Sequence, residues 1–179
     1  MKPFIQGGPV VLLLIISAAL IVGCTSPAAL PTSTATAKPA PKKVVTLPRP
    51  YNEKADPAQD IAAALKQAKA DHKRVLLDFG ANWCPDCIVL ALHFGNAQVK
   101  PFLDQHFVMV QIDVGKWDKN LKISEHYGNP IKLGIPAVVV LDENGKQIAS
   151  TADGSLASAS TSKPQEILAY LKQWAAASP

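Results

Sequence analysis

Short apolar runs that alternate with helical patterns constrain the fold of this chain most strongly. Residues 74–79, 107–113 and 136–142 read RVLLDF, FVMVQID and PAVVVLD. Runs of this length and composition are typical of strands buried in a sheet. The last of them continues through an ENG turn into KQIAS at 146–150, which predicts a hairpin. The sequence therefore predicts a sheet of at least four short strands.

Helical patterns stand between and around these runs, over residues 56–71, 85–94, 118–128 and 162–176. The first begins with Asp56 and Pro57, which suit the N-cap and the first helical position. Gly128 is expected to end the third helix, and Ser162 and Gln165 to form a capping box at the start of the last. This order of elements predicts an α/β fold, a mixed sheet flanked by helices in a single domain.

Two cysteines lie at one of the strand-to-helix junctions, in the stretch DFGANWCPDC. Cys84 is placed at the start of the second helix and Cys87 one turn further along. The partial positive charge of a helix N-terminus stabilises a thiolate, so Cys84 is the expected nucleophile and Cys87 the residue that resolves a mixed disulfide. A metal site and a static disulfide are the alternatives. The chain has 4 His residues, which match no ligand spacing around this pair.

Redox use is thus the favoured interpretation, because a structural zinc site wants four ligands and the pair supplies two. No metal and no cofactor is predicted. A Cu(I)-binding module that uses Cys84 and Cys87 as soft ligands remains an alternative function. A non-catalytic interaction domain whose cysteine pair stays oxidised is a second alternative.

Four motifs in order, VLLDF, WCPDC, GIPA and ENGK, give the chain a family resemblance over about residues 55–176. The chain resembles thioredoxin-fold proteins, especially exported thioredoxin-like proteins and the soluble C-terminal domain of transmembrane thiol:disulfide interchange proteins. The resemblance implies a thioredoxin-like protein-disulfide oxidoreductase. It also implies disulfide-containing exported proteins as substrates and a membrane electron donor of the thiol:disulfide interchange type.

The resemblance also assigns roles to single residues. Asp78 falls at the position of a buried acidic residue that assists the resolving cysteine, although an exposed aspartate at a strand end is the alternative. The lysine that family members often carry opposite this residue is replaced here by Met109. Pro136 is expected to follow a cis peptide bond, and Ile135 to offer its backbone to an extended substrate strand. Trp83 is expected to form the rim of the site, or else to be a core aromatic.

The pair between the cysteines, Pro85 and Asp86, differs from the Gly-Pro that is common in thioredoxins. Pro85 suits the first helical turn. The negative charge of Asp86 near Cys84 disfavours the thiolate, and a less stabilised thiolate makes the couple more reducing. The sequence therefore favours a reductase over an oxidant.

The first residues of the chain read as an export signal, with Lys2 before an apolar run. This segment, 1–23, ends in IVG followed by Cys24, which resembles the bacterial lipoprotein box and implies lipid attachment to the Cys24 sulfur. A plain secretory signal or an uncleaved anchor is the alternative. Residues 24–50 are rich in Pro, Thr and Ala and predict a disordered tether, before a domain at 51–179. We expect an exported protein that is anchored to a membrane by lipid, with its domain in the periplasm or at the outer cell surface.

The net charge of +4 does not indicate a nucleic-acid-binding protein. Five of the 18 Lys and Arg residues precede residue 51, so 13 remain in the predicted domain against all 14 acidic residues. A nearly neutral domain without a basic face is a poor phosphate binder.

Overall fold

The computed structural model describes residues 47–177. The predicted signal segment, Cys24 and nearly all of the predicted tether lie outside the described residues. Within residues 47–177, none of the helices is both long and apolar enough to cross a membrane.

A four-stranded sheet in the order β2-β1-β3-β4 forms the centre of the fold. Strand β1 (Arg74–Gly80) pairs in parallel with β2 (Phe107–Asp113) and antiparallel with β3 (Ala137–Leu141). Strand β4 (Gln147–Ser150) completes the predicted hairpin with β3. The central strands β1 and β3 are almost fully buried, as their continuous apolar runs predict.

Within the described residues, five α-helices surround the sheet: α1 (Pro57–Asp71), α2 (Pro85–Phe94), α3 (Lys100–His106), α4 (Leu121–His126) and α5 (Pro164–Ala176). Two short 3-10 helices span Pro130–Leu133 and Ala159–Thr161. The prediction for the start of α1 is confirmed, because the Asp56 side chain accepts hydrogen bonds from the N–H groups of Ala58 and Gln59.

Successive side chains of β1 enter two different apolar clusters, as the alternation of a strand requires. Leu77 lies in a cluster with Ile61 of α1, whereas Leu76 packs with Leu90 of α2 and Leu171 of α5. The sheet is therefore covered on both faces. This mixed sheet flanked by helices confirms the predicted thioredoxin-like fold.

One helix was not predicted, and one capping box was predicted wrongly. Helix α3 precedes the strand at 107–113 and carries Pro101 in its first turn. No side chain caps its start, so the usual N-cap signature is missing from the sequence. The capping box of α5 lies one residue later than predicted, with the Glu166 carboxylate accepting from the N–H of Lys163 at 3.1 Å. The reason is that Pro164 takes the first helical position and moves the N-cap from Ser162 to Lys163.

Candidate active site

Cys84 and Cys87 are joined by a disulfide at the start of α2, with their Cα atoms 5.3 Å apart. Cys84 is the N-cap residue of the helix, and its Sγ accepts a hydrogen bond from the N–H of Cys87 at 3.2 Å. Pro85 occupies the first helical position, where its missing N–H costs nothing. The predicted spacing thus brings the two sulfurs together across one helical turn. Cys87 is fully buried and Cys84 is 4% exposed, so Cys84 is the less buried residue of the pair.

The same geometry stabilises negative charge on Cys84 once the disulfide is reduced. The Cys87 N–H in the first helical turn donates to the Cys84 sulfur, and the N–H groups at a helix start carry partial positive charge. Asp86 places a carboxylate in that same turn, and its Oδ1 accepts the N–H of Ser160 at 2.8 Å. This hydrogen bond connects the start of α2 to the second 3-10 helix. A carboxylate in the first turn is itself favoured by the helix dipole, and the expectation that its charge disfavours a thiolate on Cys84 stays a prediction.

The Ile135–Pro136 peptide bond is cis, as predicted. The Ile135 carbonyl oxygen lies 3.6 Å from the Cys84 sulfur. A disulfide sulfur has no proton to donate, so this is a packing contact in the oxidised protein that the reduced thiol can turn into a weak hydrogen bond. A backbone carbonyl therefore lies directly beside the expected nucleophile.

Trp83 lies on the rim of the site rather than in the core, since half of its surface is exposed. Its Nε1–H donates to the carbonyl of Gly115 at 2.6 Å. Trp117, in the loop after β2, has its ring centroid 6.3 Å from that of Trp83 and is 44% exposed. The sequence analysis did not single out Trp117, because only the fold brings this loop next to Trp83.

Asp78 is fully buried on β1 among apolar residues, which excludes the alternative of an exposed strand-end aspartate. Its two carboxylate oxygens accept from the Tyr51 hydroxyl at 3.0 and 3.1 Å. Burial raises the pKa of Asp78 to about 7, while hydrogen bonds from Tyr51 and Gln111 oppose part of that rise.

The residue paired with Asp78 on β2 was predicted wrongly. Met109 pairs with Leu76, and the partner of Asp78 in the register is Gln111. Strand register depends on the pairing of the whole strand, and it cannot be read from the two apolar runs separately. Asp78 thus lacks a lysine partner but has two neutral hydrogen-bond donors, which the sequence analysis did not anticipate.

Tyr51 is a further site residue that was not predicted from the sequence. It lies before α1, yet it is only 2% exposed. Its N–H donates to the Asn82 side chain at 3.1 Å, and the Asn82 amide donates back to the Tyr51 carbonyl at 2.8 Å. The only available signals were an aromatic residue at the edge of the domain and an asparagine just before the cysteine pair.

The next question is whether potential metal ligands cluster in the described part of the chain. Among residues 47–177, no three or more His, Cys, Asp or Glu side chains form a group that could hold a metal ion. A Cu(I) site at Cys84 and Cys87 would therefore have to rely on these two sulfurs or on an external ligand.

Comparison with known proteins places the site in a family. A family model described as thioredoxin-like matches residues 56–143. A disulphide isomerase from Xylella fastidiosa Temecula1 is 42% identical, and the match covers 72% of this chain and 98% of that chain with a TM-score of 0.69. The oxidised C-terminal domain of DsbD from Neisseria meningitidis is 26% identical over 66% of this chain and 96% of that one, with a TM-score of 0.50.

A curated relative extends the similarity beyond bacterial proteins. Anterior gradient protein 2-B from Xenopus laevis is 30% identical over 112 residues, which are 61% of this chain and 68% of that protein. The residues matched by the family model include β1, the cysteine pair and α2. By its sequence, its fold and its cysteine pair, the chain belongs to the thioredoxin-like family.

Proposed function

We propose that the protein is a thiol:disulfide oxidoreductase that reduces disulfides of exported proteins through the Cys84/Cys87 dithiol. The observation that carries this proposal is the cysteine pair at the start of α2, with the backbone of Ile135 and the cis bond to Pro136 beside Cys84. The similarity to a disulphide isomerase and to a DsbD C-terminal domain supports an oxidoreductase in general.

The reaction has two exchange steps. The Cys84 thiolate attacks one sulfur of the substrate disulfide, so a mixed disulfide forms and one substrate thiolate leaves. Cys87 then gives its proton to the Asp78 carboxylate and attacks the Cys84 sulfur. The Cys84–Cys87 disulfide forms and the second substrate thiolate leaves, so the substrate gains two electrons and the protein loses them. A dithiol donor must afterwards reduce the protein disulfide, and we propose a membrane protein of the thiol:disulfide interchange type.

Substrate binding follows from the exposed groups around Cys84. An extended segment of the substrate can form backbone hydrogen bonds at Ile135, next to Pro136, which is the β-augmentation mode of peptide recognition. Trp83, next to Cys84 in the chain, supplies an exposed aromatic surface. Backbone bonding selects an extended conformation and no particular sequence, which suits an enzyme that acts on several exported proteins.

The reduction potential of the Cys84/Cys87 couple tests this function. We expect a value closer to that of thioredoxin, about −270 mV, than to that of the oxidant DsbA, about −120 mV, because Asp86 opposes the thiolate. Equilibration of the purified protein with glutathione or dithiothreitol buffers, followed by trapping of free thiols, gives the potential. A value near that of DsbA would contradict a reductase. A disulfide that stays oxidised in all these buffers would indicate that the cysteine pair has only a structural role.

We also propose that lipid on Cys24 anchors the protein outside the cytoplasm, with residues 24–50 as a tether. The support is the IVG–Cys24 sequence after an apolar segment. Several acyl chains would hold the protein firmly, whereas one chain gives only marginal binding.

Cys24→Ala should leave an unlipidated precursor that keeps its signal segment. Mass spectrometry of the mature native protein should find acyl chains on Cys24, and an unmodified sulfur there would contradict the anchor.

A further inference from the structure

Tyr51 is hydrogen-bonded to the buried carboxylate of the site. Its hydroxyl lies 3.0 and 3.1 Å from the two oxygens of Asp78, although the residues are 27 positions apart in the chain. A hydroxyl has one proton, so Tyr51 shares it between both oxygens. Both residues are buried, and a hydrogen bond to an ionised group is strongest where water is excluded.

The position of Tyr51 is fixed from two sides. Its backbone exchanges two hydrogen bonds with the side chain of Asn82, just before Trp83 and Cys84. Its hydroxyl end lies against Gly80, where a Cβ atom would collide with the Tyr51 ring and stand 3.0 Å from the Cys87 sulfur. The absence of a side chain at Gly80 therefore lets the Tyr51 hydroxyl approach Asp78 and Cys87 together.

The charged groups around this contact keep the tyrosine protonated. Burial and the negative charges of Asp78 and Asp113 raise the pKa of Tyr51 far above its ordinary value. Asp113 ends β2, and its carboxylate lies 3.3 Å from the Nζ of Lys119 in the following loop. Gln111 on β2, which also forms a hydrogen bond to Asp78, is neutral, and Cys87 on α2 is part of the disulfide in the oxidised protein. Tyr51 thus remains a hydrogen-bond donor over the whole pH range in which thiols react.

We propose that Tyr51 is a positioning residue that holds Asp78 as an ionised, correctly oriented proton acceptor for Cys87. This inference rests on the proposed dithiol function. Burial alone favours the neutral form of Asp78, and a neutral carboxyl group cannot take the Cys87 proton. The Tyr51 hydroxyl favours the charged form because it donates to both oxygens. Tyr51 lies outside residues 56–143, which the family model matches. It nevertheless sets the ionisation and the orientation of the Asp78 carboxylate, which accepts the Cys87 proton.

The test compares Tyr51→Phe with a matched control, Tyr127→Phe. Phenylalanine at position 51 keeps the ring against Gly80 and removes only the hydroxyl. The Tyr127 ring packs against the same apolar cluster from the end of α4, so the control loses a tyrosine hydroxyl on the same cluster. The full chain is used in the oxidised form, and the carboxyl carbon of Asp78 is observed by ¹³C NMR as a function of pH.

We expect the Asp78 titration in Tyr51→Phe to move upward by about one pH unit, the size expected for loss of a hydrogen bond to a charged group. Tyr127→Phe should titrate like the unchanged protein. No movement in Tyr51→Phe, or an equal movement in both variants, would overturn the proposal.

Kinetics give the second readout. Reduced protein mixed with an aromatic disulfide in a stopped-flow instrument releases one chromophoric thiolate when Cys84 attacks and a second when Cys87 resolves the mixed disulfide. In Tyr51→Phe the rate of the second phase should fall about five-fold at pH 7 and recover near pH 9. This is the change expected if the rate is proportional to the ionised fraction of Asp78 and the Asp78 titration moves upward by about one pH unit. The first phase should stay unchanged. An equal slowing of both phases at all pH values would mean that Tyr51 only supports the fold.

The two readouts separate this inference from the proposed function. Neither the NMR titration nor the two-phase reaction requires a protein substrate or a cellular reductant. A protein that fails to reduce exported proteins but has the expected shift in Tyr51→Phe would refute the substrate assignment and keep the role of Tyr51.

Discussion

Replacing Cys84 with serine should reduce the proposed disulfide reductase activity of the protein to the background rate of the reductant alone. The serine hydroxyl is not ionised near neutral pH, so the helix N-terminus at residue 84 would have no thiolate to stabilise. Cys87 cannot take over, because it is fully buried within the first turn of α2. Insulin precipitation by dithiothreitol in the presence of each variant measures the effect.

Cys87→Ser is the matched control for this experiment. It keeps the nucleophile and removes the resolving thiol, so the variant should attack once and then remain as a mixed disulfide with its substrate. Non-reducing electrophoresis and mass spectrometry should detect these adducts in Cys87→Ser and not in Cys84→Ser. Full turnover by Cys84→Ser, or adducts on Cys87 alone, would show that the nucleophile is assigned wrongly.

The parts of the site that could be predicted from the sequence are those fixed by local signals. Pro85 at a helix start places Cys84 at the N-cap, and the spacing to Cys87 then follows from helical geometry. The apolar runs of β1 and β3 predict central strands, and their burial is confirmed. Family resemblance, rather than any local pattern, predicted the cis bond before Pro136.

The parts that could not be predicted depend on contacts between distant segments. Gln111 rather than Met109 is the partner of Asp78 because the register of β1 with β2 is a property of the assembled sheet. Tyr51 reaches Asp78 only because Asn82 holds the segment before α1 against the active-site loop. Local residue patterns contain no information about either contact.

Asp78→Asn should slow the resolution of the mixed disulfide near neutral pH and leave the first attack by Cys84 largely unchanged. Asparagine keeps the shape of the side chain, and its carbonyl oxygen can still accept from the Tyr51 hydroxyl. It removes the proton acceptor, so Cys87 must lose its proton to water instead. General-base catalysis contributes about 100-fold or more, so we expect a loss of this order in the second stopped-flow phase. Equal rates in the two proteins would exclude Asp78 as the base.

The same substitution should make the protein more stable at high pH, because it removes a charge that the fold must bury. The pKa of Asp78 is about 7 in the folded protein against an ordinary value of 3.8, so the folded state binds the proton more tightly than the unfolded state. For a carboxyl group with a raised pKa, stability is lost as pH rises from about 4 to about 7, and the loss is complete above the folded pKa.

At 1.36 kcal/mol per pH unit, this difference corresponds to about 4 kcal/mol. Urea unfolding of the oxidised proteins should therefore give free energies of unfolding whose difference, Asp78→Asn minus unchanged protein, grows by up to about 4 kcal/mol between pH 4 and pH 8. Because all other groups titrate equally in the two proteins, the change of this difference with pH reports on Asp78 alone. A difference that stays constant over this range would mean that Asp78 does not keep a raised pKa in the folded protein, and it would then be a much weaker base for the Cys87 proton.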